Sequence, residues 1–237
     1  MARILITGSA DGLGRYTAET LLQEGHRVVV HARSAKRLAS AQELLDRGAD
    51  GVVGDLADMD QVRDIAAQVN RLGQMDAVIH NAGVLHGPDI FQVNVAAPYL
   101  LTAIMQRPRR QIYVSSGMHR GGHAHIQNHA QVTYSDSKLY LTALAAAVAR
   151  LWPDVPSNAV DPGWVPTRMG GAGAPDDLRL GHRTQEWLAA SDDPEALTSG
   201  GYWYHQHREK PHPAVRDERF QNELLNHLAG VTGESLG

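Results

Sequence analysis

The sequence contains no cysteine, which excludes disulfides, thiolate metal sites and cysteine nucleophiles and fits a reducing compartment. It also lacks any excess of positive charge, and its net charge of −4 predicts no strong attraction to nucleic acid or anionic membranes. No stretch approaches the roughly 18 consecutive apolar residues of a membrane helix. The short apolar start at residues 1–7 is broken at once by glycine, unlike a signal peptide. We therefore expect a cytoplasmic protein with no nucleic-acid or membrane partner.

The chain does contain a regular alternation of two patterns. Short runs rich in β-branched residues, typical of strands buried on both faces, alternate with segments of helical periodicity. The predicted strands are residues 3–7, 27–31, 51–54, 77–80 and 111–114, with further candidates at 157–160 and 201–205. The predicted helices are residues 14–24, 35–47, 59–72, 94–106, 133–152 and 219–229.

Strands separated by helices of this length predict right-handed βαβ units around a parallel sheet. The expected fold class is therefore α/β, a doubly wound parallel sheet in a Rossmann-like three-layer sandwich. No linker rich enough in Pro, Gly or Ser divides the chain, so residues 1–237 are expected to form a single domain. Three segments do not fit the alternation. The Gly- and His-rich residues 117–131 and the Gly- and Pro-rich residues 163–181 are predicted loops, and residues 210–237 are a predicted turn followed by the C-terminal helix.

A glycine-rich segment, Thr7 to Gly14 (TGSADGLG), follows the first predicted strand and opens the first helix. Glycines there allow a tight turn and close backbone approach to a pyrophosphate, while the helix N-terminus supplies N–H groups and partial positive charge. Three glycines alone are a weak signal, and a sharp turn without a ligand is the alternative. The strand before and the helix after favour a dinucleotide site.

The end of the second predicted strand indicates which nucleotide is bound. Sites for NAD usually place an acidic residue there, to hydrogen-bond the ribose hydroxyl. This chain has Arg33 instead, with Lys36 and Arg37 close by. An arginine can pair with a 2′-phosphate that a carboxylate would repel. NADP(H) is therefore preferred over NAD(H), although Arg33 as an ordinary surface residue is the alternative.

Tyr134 and Lys138 lie four residues apart at the start of the long Ala-rich helix and so share one helix face. A lysine in that position can stabilise a nearby phenolate. Free tyrosine titrates near 10, so a phenolate near pH 7 requires roughly 4 kcal/mol. An ammonium together with an oxidised nicotinamide could supply this in a partly dry site. Taken alone, however, such a pair is common on helix surfaces.

Together with these residues, further motifs resemble those of the short-chain dehydrogenase/reductase family, in its shorter, single-domain subtype. The matching elements are the glycine loop, Asp55-Leu56, Asn81-Ala82-Gly83, Asn94, Ser115-Ser116 ahead of Tyr134 and Lys138, and Pro162-Gly163 followed by Thr167. One position departs from the family pattern, since His80 stands where a second Asn is usual. The order and spacing of these elements make the resemblance specific.

The resemblance implies an NADP(H)-dependent oxidoreductase that moves a hydride between the nicotinamide and a small-molecule carbonyl or alcohol. Tyr134 would act as the acid/base, Ser116 would position the reacting oxygen, and Lys138 would lower the tyrosine pKa and hold the nicotinamide ribose. Asn94 would anchor a water that links Lys138 to solvent. The implied cofactor-binding residues are Gly8, Ser9, Asp11, Gly12, Leu13, Gly14, Arg33, Asp55, Leu56, Asn81, Ala82, Gly83, Tyr134, Lys138, Pro162, Gly163, Val165 and Thr167.

Two details of the site depend on the loops. Ser116, the second serine of its pair, is the better match to the family's catalytic serine, and Ser115 would end the strand structurally. The interval from Ser116 to Tyr134 is long, as in members that act on retinoid-like or other bulky lipophilic substrates. A substrate loop is expected around residues 163–200, and the histidines of residues 119–129 are expected to line the entrance.

Several alternatives stay open at this point. Seven of the 13 histidines crowd two loops, at residues 119–129 and 205–212, but no carboxylate or cysteine joins them at a convincing spacing, so no metal site is predicted. A regulatory protein that senses NADP(H) without turnover is the alternative function. An epimerase or dehydratase acting on a nucleotide sugar would need a larger C-terminal substrate domain. The Ala-rich helix could pair in a homodimer, but the same pattern suits sheet packing in a monomer.

Overall fold

The computed structural model describes residues 1–236, in which eight strands form one sheet with helices on both faces. The strands are β1 (Arg3–Ile6), β2 (Arg27–Ala32), β3 (Asp50–Val53), β4 (Ala77–His80), β5 (Arg110–Val114), β6 (Ser157–Asp161), β7 (Tyr202–Tyr204) and β8 (His207–Glu209). Their spatial order is β3-β2-β1-β4-β5-β6-β7-β8. The first seven strands are parallel and β8 is antiparallel to β7, so the predicted doubly wound parallel sheet is confirmed.

Eight α-helices connect or cover these strands. They are α1 (Gly12–Gln23), α2 (Ala35–Ala39), α3 (Gln42–Asp46), α4 (Met59–Leu72), α5 (Ala97–Ile104), α6 (Tyr134–Leu151), α7 (Leu178–Ala190) and α8 (Glu218–Thr232). Side chains of successive strand residues point to opposite faces, so Ile4 and Ile6 pack on the side of α1 and α7, whereas Leu5 packs on the side of α4 and α5. Helices α6 and α8 share the latter side, which completes a three-layer sandwich.

The Ala-rich helix α6 is covered by this chain itself. It lies between the sheet and α8, and twelve of its eighteen residues are buried. At the contact with α8, the Arg150 guanidinium donates to Gln221 Oε1 over 2.9 Å, and the rings of Tyr140 and Phe220 lie 6.0 Å apart. The composition of α6 is therefore accounted for by packing within this chain.

Some predicted elements differ from the observed ones. Residues 35–47 form two short helices rather than one, because the Ser40 hydroxyl donates to the Arg37 carbonyl and Ala41 leaves helical geometry. The predicted helix at residues 94–106 starts as a π-turn over Gln92–Ala96 before it becomes α5. Strand β8 was not predicted; a tight turn places His205 and Gln206 at positive φ and returns the chain beside β7.

The prediction that residues 163–181 form a loop is wrong at its C-terminal end, where α7 begins. Asp177 caps this helix, its carboxylate accepting the N–H groups of Arg179 and Leu180. Gly181 lies inside α7. A glycine is needed at this position because a Cβ there would come within 2.5 Å of Val165 Cγ1. The glycine that looked like a loop residue is therefore a packing requirement, and the segment 163–200 is only partly irregular.

The strand order reverses at β1, whose neighbours are β2 and β4. In open parallel sheets a crevice forms at such a switch point, outside the carboxyl ends of the strands. The polar segments after β1, β2, β4, β5 and β6 all reach this edge, so the fold brings the predicted site residues to one side of the molecule. Within residues 1–236, no helix is both long enough and apolar enough to cross a membrane.

Candidate active site

The glycine loop after β1 has the backbone that its sequence predicts. Gly8 and Gly12 adopt φ of +64° and +57°, a region that favours glycine. A Cβ on Gly14 would lie 2.5 Å from Asn81 Nδ2, whereas a Cβ on Gly12 would meet nothing within 4 Å. Gly14 thus allows the helix to pack closely against the end of β4, and Gly12 leaves open space above the loop.

The N-terminus of α1 is not closed by its own cap residue. Asp11 makes no capping hydrogen bond and instead forms an ion pair with Arg37, the guanidinium of which donates to the carboxylate. Helices α2, α4, α6, α7 and α8 all have a side-chain cap. The exposed N–H groups of α1 and its dipole therefore remain able to bind an anion such as a pyrophosphate.

His31, near the end of β2, holds the glycine loop in place and was not anticipated from the sequence. Its Nδ1 accepts the Gly8 N–H over 2.9 Å, so Nε2 carries the proton and donates to the Gly54 carbonyl, also over 2.9 Å. The side chain is buried, which lowers its pKa. The neutral imidazole thereby ties the loop after β1 to the turn after β3.

One cleft of about 850 Å³ runs along the carboxyl edge of the sheet. It extends from the ends of β3 and β2, past the glycine loop after β1 and the end of β4, to α6. The predicted cofactor-binding residues that line it are Gly8, Asp11, Gly12, Leu13, Arg33, Asp55, Leu56, Asn81, Ala82, Gly83, Tyr134, Lys138, Pro162 and Thr167. Fourteen of the eighteen residues in the predicted set are thus brought to one continuous surface.

The other four predicted cofactor residues do not line this cleft. Ser9 is buried, with its hydroxyl donating to the Ile6 carbonyl and accepting the His31 N–H, so its role is to shape the loop. Gly14 faces Asn81, as described above, and Val165 is buried against α7. Gly163 adopts φ of +78°, and its N–H donates to Asp161 Oδ1.

Tyr134 and Lys138 lie side by side at the inner end of the cleft. The Lys138 Nζ is 5.5 Å from the centre of the Tyr134 ring and donates to the Val114 carbonyl over 2.7 Å. Burial lowers the pKa of Lys138 to about 8. Burial also raises the pKa of Tyr134 to about 12, while a hydrogen bond with Ser116 acts in the opposite direction. In the protein alone, desolvation therefore dominates, and the tyrosine is a neutral proton donor.

The two serines at the end of β5 have different surroundings. Ser115 is buried, and its hydroxyl lies 2.6 Å from Thr142 Oγ1 and 3.3 Å from the Lys138 carbonyl. Ser116 is partly exposed, interacts with Tyr134 and caps the 3₁₀ turn Gly117–Gly121 by accepting the Met118 N–H. Ser116 is thus the more exposed hydroxyl and the one that interacts with Tyr134, although Ser115 rather than Ser116 lines the cleft itself.

Asn94 lies fully buried within the π-turn that precedes α5. Its Oδ1 accepts the Val84 N–H over 2.8 Å, and its Nδ2 donates to the Val84 carbonyl and to Ser137 Oγ. A Cβ on Gly83 would lie 3.3 Å from Asn94 Oδ1 and 3.5 Å from Lys138 Nζ. Asn94 therefore fixes the loop after β4 against α6, close to the lysine.

His80, the departure from the family pattern, is part of a buried polar cluster under the sheet edge. Its ring stacks on Tyr113 at a centroid distance of 4.6 Å, and Nε2 lies 2.9 Å from Gln111 Oε1. Burial lowers its pKa to about 4. His80 therefore remains neutral near pH 7 and has a packing role behind the cleft.

The histidines of residues 119–129 were expected to line the substrate entrance, but several of them make contacts inside the protein instead. His119 is buried and accepts the His212 N–H, His123 contacts the Asp136 carboxylate, and the His129 and His227 Nε2 atoms lie 2.7 Å apart. These contacts anchor the loop to the segment that follows β8, to α6 and to α8. Within residues 1–236, no three His, Cys, Asp or Glu side chains are grouped so that they could hold a metal ion.

Irregular residues after β6 border the other side of the cleft. Asp176 Oδ2 accepts the Trp164 N–H over 2.6 Å, and the Trp164 indole N–H donates to the Gly170 carbonyl, so the segment is folded on itself. Its apolar side chains are nevertheless exposed, at 60% for Trp164 and 45% for Met169. Met118, in the 3₁₀ turn that follows Ser116, is also half exposed. An apolar ligand would find contacts here.

Most of the sequence matches a known family. The family model described as short chain dehydrogenase matches residues 2–177. This chain belongs to the short-chain dehydrogenase family. The family therefore covers the glycine loop, the pair formed by Tyr134 and Lys138, and the segment after β6.

Relatives agree with this assignment over the whole chain. An uncharacterized oxidoreductase of Emericella nidulans is 38% identical over 249 residues, covering 98% of each chain. The short-chain dehydrogenase chyC of Penicillium rubens is 33% identical over 258 residues, covering 100% of this chain and 99% of that protein. A solved structure of an uncharacterized protein from Mycobacterium paratuberculosis has the same fold, with a TM-score of 0.82, 21% identity, and coverage of 100% and 95%. The chain is thus an oxidoreductase of this family.

Proposed function

We propose that this chain transfers a hydride between NADP(H) and a carbonyl or alcohol group of a small molecule. The observation that carries the proposal is the single cleft that joins the glycine loop to Tyr134 and Lys138. A dinucleotide lying along it would have phosphates at the uncapped end of α1 and its reactive ring beside a proton donor. Family membership supports the same chemistry.

The residues of the cleft fit a nicotinamide dinucleotide. The open space above Gly12 and the free N–H groups of α1 suit a pyrophosphate. Asp55 and Leu56, after β3, border the cleft on one side of the glycine loop, where an adenosine would lie, and Ala82 and Gly83, after β4, border it on the side toward Lys138, where a nicotinamide ribose would lie. When bound, the nicotinamide supplies or accepts the hydride.

The protein's own groups would handle the proton and the reacting oxygen. In reduction, the Tyr134 phenol donates its proton to the carbonyl oxygen while that carbon receives the hydride. The Ser116 hydroxyl hydrogen-bonds the same oxygen and orients it. Burial keeps Tyr134 protonated near neutral pH, the form that carbonyl reduction requires. Alcohol oxidation would need the reverse proton transfer and additional positive charge nearby.

Lys138 and Asn94 would support this proton transfer. The buried Lys138 ammonium places positive charge beside the Tyr134 ring and lies within reach of a ribose above Gly83. We propose that Asn94 positions the loop at Gly83 and the nearby lysine, since its amide contacts Val84 and Ser137. A water held near Asn94 and linking Lys138 to solvent remains a prediction.

The preference for NADP(H) rests on cationic side chains near the end of β2. Arg33 is exposed, lines the cleft and takes part in no salt bridge among residues 1–236. Arg37 also lines the cleft, but Asp11 already neutralises part of its charge. A 2′-phosphate beside the adenosine would therefore be recognised mainly by Arg33, with its planar, bidentate guanidinium.

The substrate is proposed to be a lipophilic carbonyl compound or alcohol. The exposed Met169 side chain at the cleft supports this, together with the exposed Trp164 and Met118 in the segments after β6 and β5, because water-exposed apolar groups favour an apolar ligand. A panel of aldehydes, ketones and alcohols of increasing size, including retinoid-like compounds, should be tested with both cofactors. Turnover would be followed by nicotinamide absorbance.

Tyr134→Phe tests the proposed mechanism directly. The variant keeps the ring but loses the proton donor, so turnover should fall by about 10²- to 10⁴-fold while NADPH binding stays nearly intact. The measurements are steady-state rates and a fluorescence titration with NADPH. Tyr99→Phe is the matched control, because that hydroxyl donates to the Glu234 carbonyl away from the cleft.

Substantial residual activity in Tyr134→Phe, or an equal loss in Tyr99→Phe, would contradict the assigned role of Tyr134. NADPH binding to the unaltered protein with no turnover of any compound in the panel would favour the NADP(H)-sensing alternative instead. No contact described above favours that alternative at present.

A further inference from the structure

Strand β6 ends at Asp161, a carboxylate that none of the sequence motifs includes. The register pairs Val114 with Val160, so Asp161 lies beside Ser115 on the neighbouring strand. Tyr113 and Ala159 pack in the hydrophobic cluster between the sheet and α6. Ser115 lies two residues after Tyr113, and Asp161 lies two residues after Ala159. Because side chains alternate along a strand, both point toward α6. This is the helix that carries Tyr134 and Lys138.

The Asp161 carboxylate is held rigidly by neutral donors. Its side chain belongs to a residue that is only 8% exposed. Oδ1 accepts the Gly163 N–H over 3.0 Å, and Oδ2 accepts the Tyr202 hydroxyl over 2.9 Å. A Cβ on Gly117 would come within 3.0 Å of Oδ2, so the carboxylate also lies against the residue that follows Ser116. No salt bridge neutralises Asp161 among residues 1–236.

Lys138 is a buried cation that, like Asp161, has no salt-bridge partner among residues 1–236. Its hydrogen bond goes to the neutral Val114 carbonyl. Burial lowers the pKa of Lys138, and the negative charge of Asp161 acts in the opposite direction. The same charge adds to burial in raising the pKa of Tyr134. Asp161 therefore favours the protonated form of both groups.

Of the other charged or titratable groups around Asp161, the arginine is paired and the histidine and tyrosines are neutral, and one further carboxylate, Asp176, adds negative charge. From the 3₁₀ turn, Arg120 pairs with Glu209 of β8 over 2.7 Å, and burial lowers the pKa of His119. From β7, burial raises the pKa values of Tyr202 and Tyr204, so both are neutral near pH 7. From the loop after β6, Asp176 accepts the Trp164 N–H.

We propose that Asp161 is a positioning residue whose negative charge favours the protonated forms of Lys138 and Tyr134. The site thereby stays in its carbonyl-reducing form above neutral pH. The inference rests on the proposed function, since it assigns a direction to the same site. It also differs from the set of residues that the family motifs indicate, none of which is a carboxylate beside the lysine.

The sign of the effect follows from coupled titration. Reduction requires the state in which Tyr134 and Lys138 are both protonated, and activity is lost as pH rises and the pair releases its first proton. Removing a nearby negative charge makes either proton easier to release. Whichever of the two groups titrates first, the alkaline limb of the reduction profile must therefore move to lower pH.

Asp161→Asn is the test variant. Asparagine keeps an oxygen for the Gly163 N–H and an amide that can hydrogen-bond to the Tyr202 hydroxyl, so it removes charge with little change of shape. The alkaline limb of kcat/KM for carbonyl reduction should move down by about one pH unit. Tyr202→Phe is the control: it removes a hydrogen bond to the same carboxylate but keeps the charge, and its limb should move far less.

A second measurement does not depend on turnover. The chain has three lysines, Lys36, Lys138 and Lys210, so NMR spectra of protein labelled at the lysine side chains contain signals from only three side chains. Lys36 and Lys210 are exposed and serve as internal references. Lys138 should titrate near the value of about 8 in the unaltered protein and about one unit lower in Asp161→Asn.

The two readouts separate failure of this inference from failure of the proposed function. An unchanged Lys138 titration in folded Asp161→Asn overturns the inference, whatever the activity. An unchanged alkaline limb with a shifted Lys138 titration overturns the catalytic consequence. If the unaltered protein reduces no carbonyl compound, the proposed function fails, and the lysine titration still decides whether Asp161 acts on Lys138.

Discussion

Residues of the same type have different roles in this site because their neighbours differ. Ser115 and Ser116 are adjacent, yet alternation along the strand end buries the first against Thr142 and leaves the second beside Tyr134. Arg33 and Arg37 are only four residues apart, yet only Arg37 has a carboxylate partner, Asp11. The chemistry available to a ligand is therefore decided by which partner each side chain already has.

Arg33→Asp tests the nucleotide preference. Reversing this charge should weaken NADPH far more than NADH, because only NADPH carries the 2′-phosphate, and the ratio of their affinities should fall on the order of 100-fold. The measurement is a fluorescence titration with each cofactor.

Lys36→Asp makes the same charge change three residues away on an exposed side chain that does not line the cleft. It should leave the ratio of affinities nearly unchanged. A ratio that Arg33→Asp does not alter, or that both variants alter equally, would count against recognition by Arg33.

At the scale of elements, helix α6 links the site to the His-rich loop before it. Thr133 and Asp136 form a capping box at the start of α6, which fixes the direction in which Tyr134 leaves the helix. Asp136 Oδ1 also accepts the His123 N–H, and the Tyr140 hydroxyl donates to the His125 carbonyl over 2.6 Å. The loop is therefore attached to the same helix that carries the catalytic candidates.

Shortening residues 121–129 tests whether this loop helps to select the substrate. Because the loop lies beside Ser116 and Tyr134, its removal should change the relative kcat/KM values of bulky and small carbonyl compounds, while NADPH affinity is retained. The measurement is the substrate panel described above. His227→Ala is the matched control: it cuts the contact with His129 without shortening the loop, so its effect should be smaller. An identical substrate profile in the shortened protein would reject a role in selection.

At the scale of the whole molecule, several imidazoles are built into the packed structure as neutral groups. Burial is the main cause that lowers the pKa values of His31, His80, His119 and His129, and that of His80 falls to about 4. These side chains link the glycine loop, the sheet edge, the 3₁₀ turn and the His-rich loop. Protonation of any of these imidazoles would place a positive charge inside the contact that it makes.

We expect the free energy of unfolding to fall as the pH decreases from about 6.5 toward 4. A histidine with a lowered pKa in the folded state takes up its proton more readily when unfolded. Its contribution is therefore fully present above the unfolded pKa and is lost as the pH falls through the folded one. For His80, a fully buried group, the loss is about 3 kcal/mol.

Denaturant unfolding of the unaltered protein and of His80→Asn over this pH range is the measurement. Asparagine does not titrate, so the variant should be less stable at pH 7 but should lose less stability on acidification. Parallel curves for the two proteins would show that His80 does not contribute to the pH dependence.

The local patterns of the sequence determined most of the fold and the framework of the site. Apolar strands buried on both faces, and helices between them, depend mainly on residues close in the chain, so β1 to β6 and the parallel sheet could be predicted. The motif residues Tyr134, Lys138, Ser116 and Gly12 could be recognised for the same reason. Local cues were misleading where glycine had a packing role, as Gly181 does within α7.

Only the tertiary structure decided which distant residues act on those motifs. His31 accepts the Gly8 N–H across 23 positions of sequence, and Asp161 approaches Lys138 only because β6 lies next to β5 in the sheet. The inward direction of Ser9 and the contact between His129 and His227 are of the same kind. Strand order and register set these distances and the burial that shifts each pKa, and neither can be computed from neighbouring residues alone.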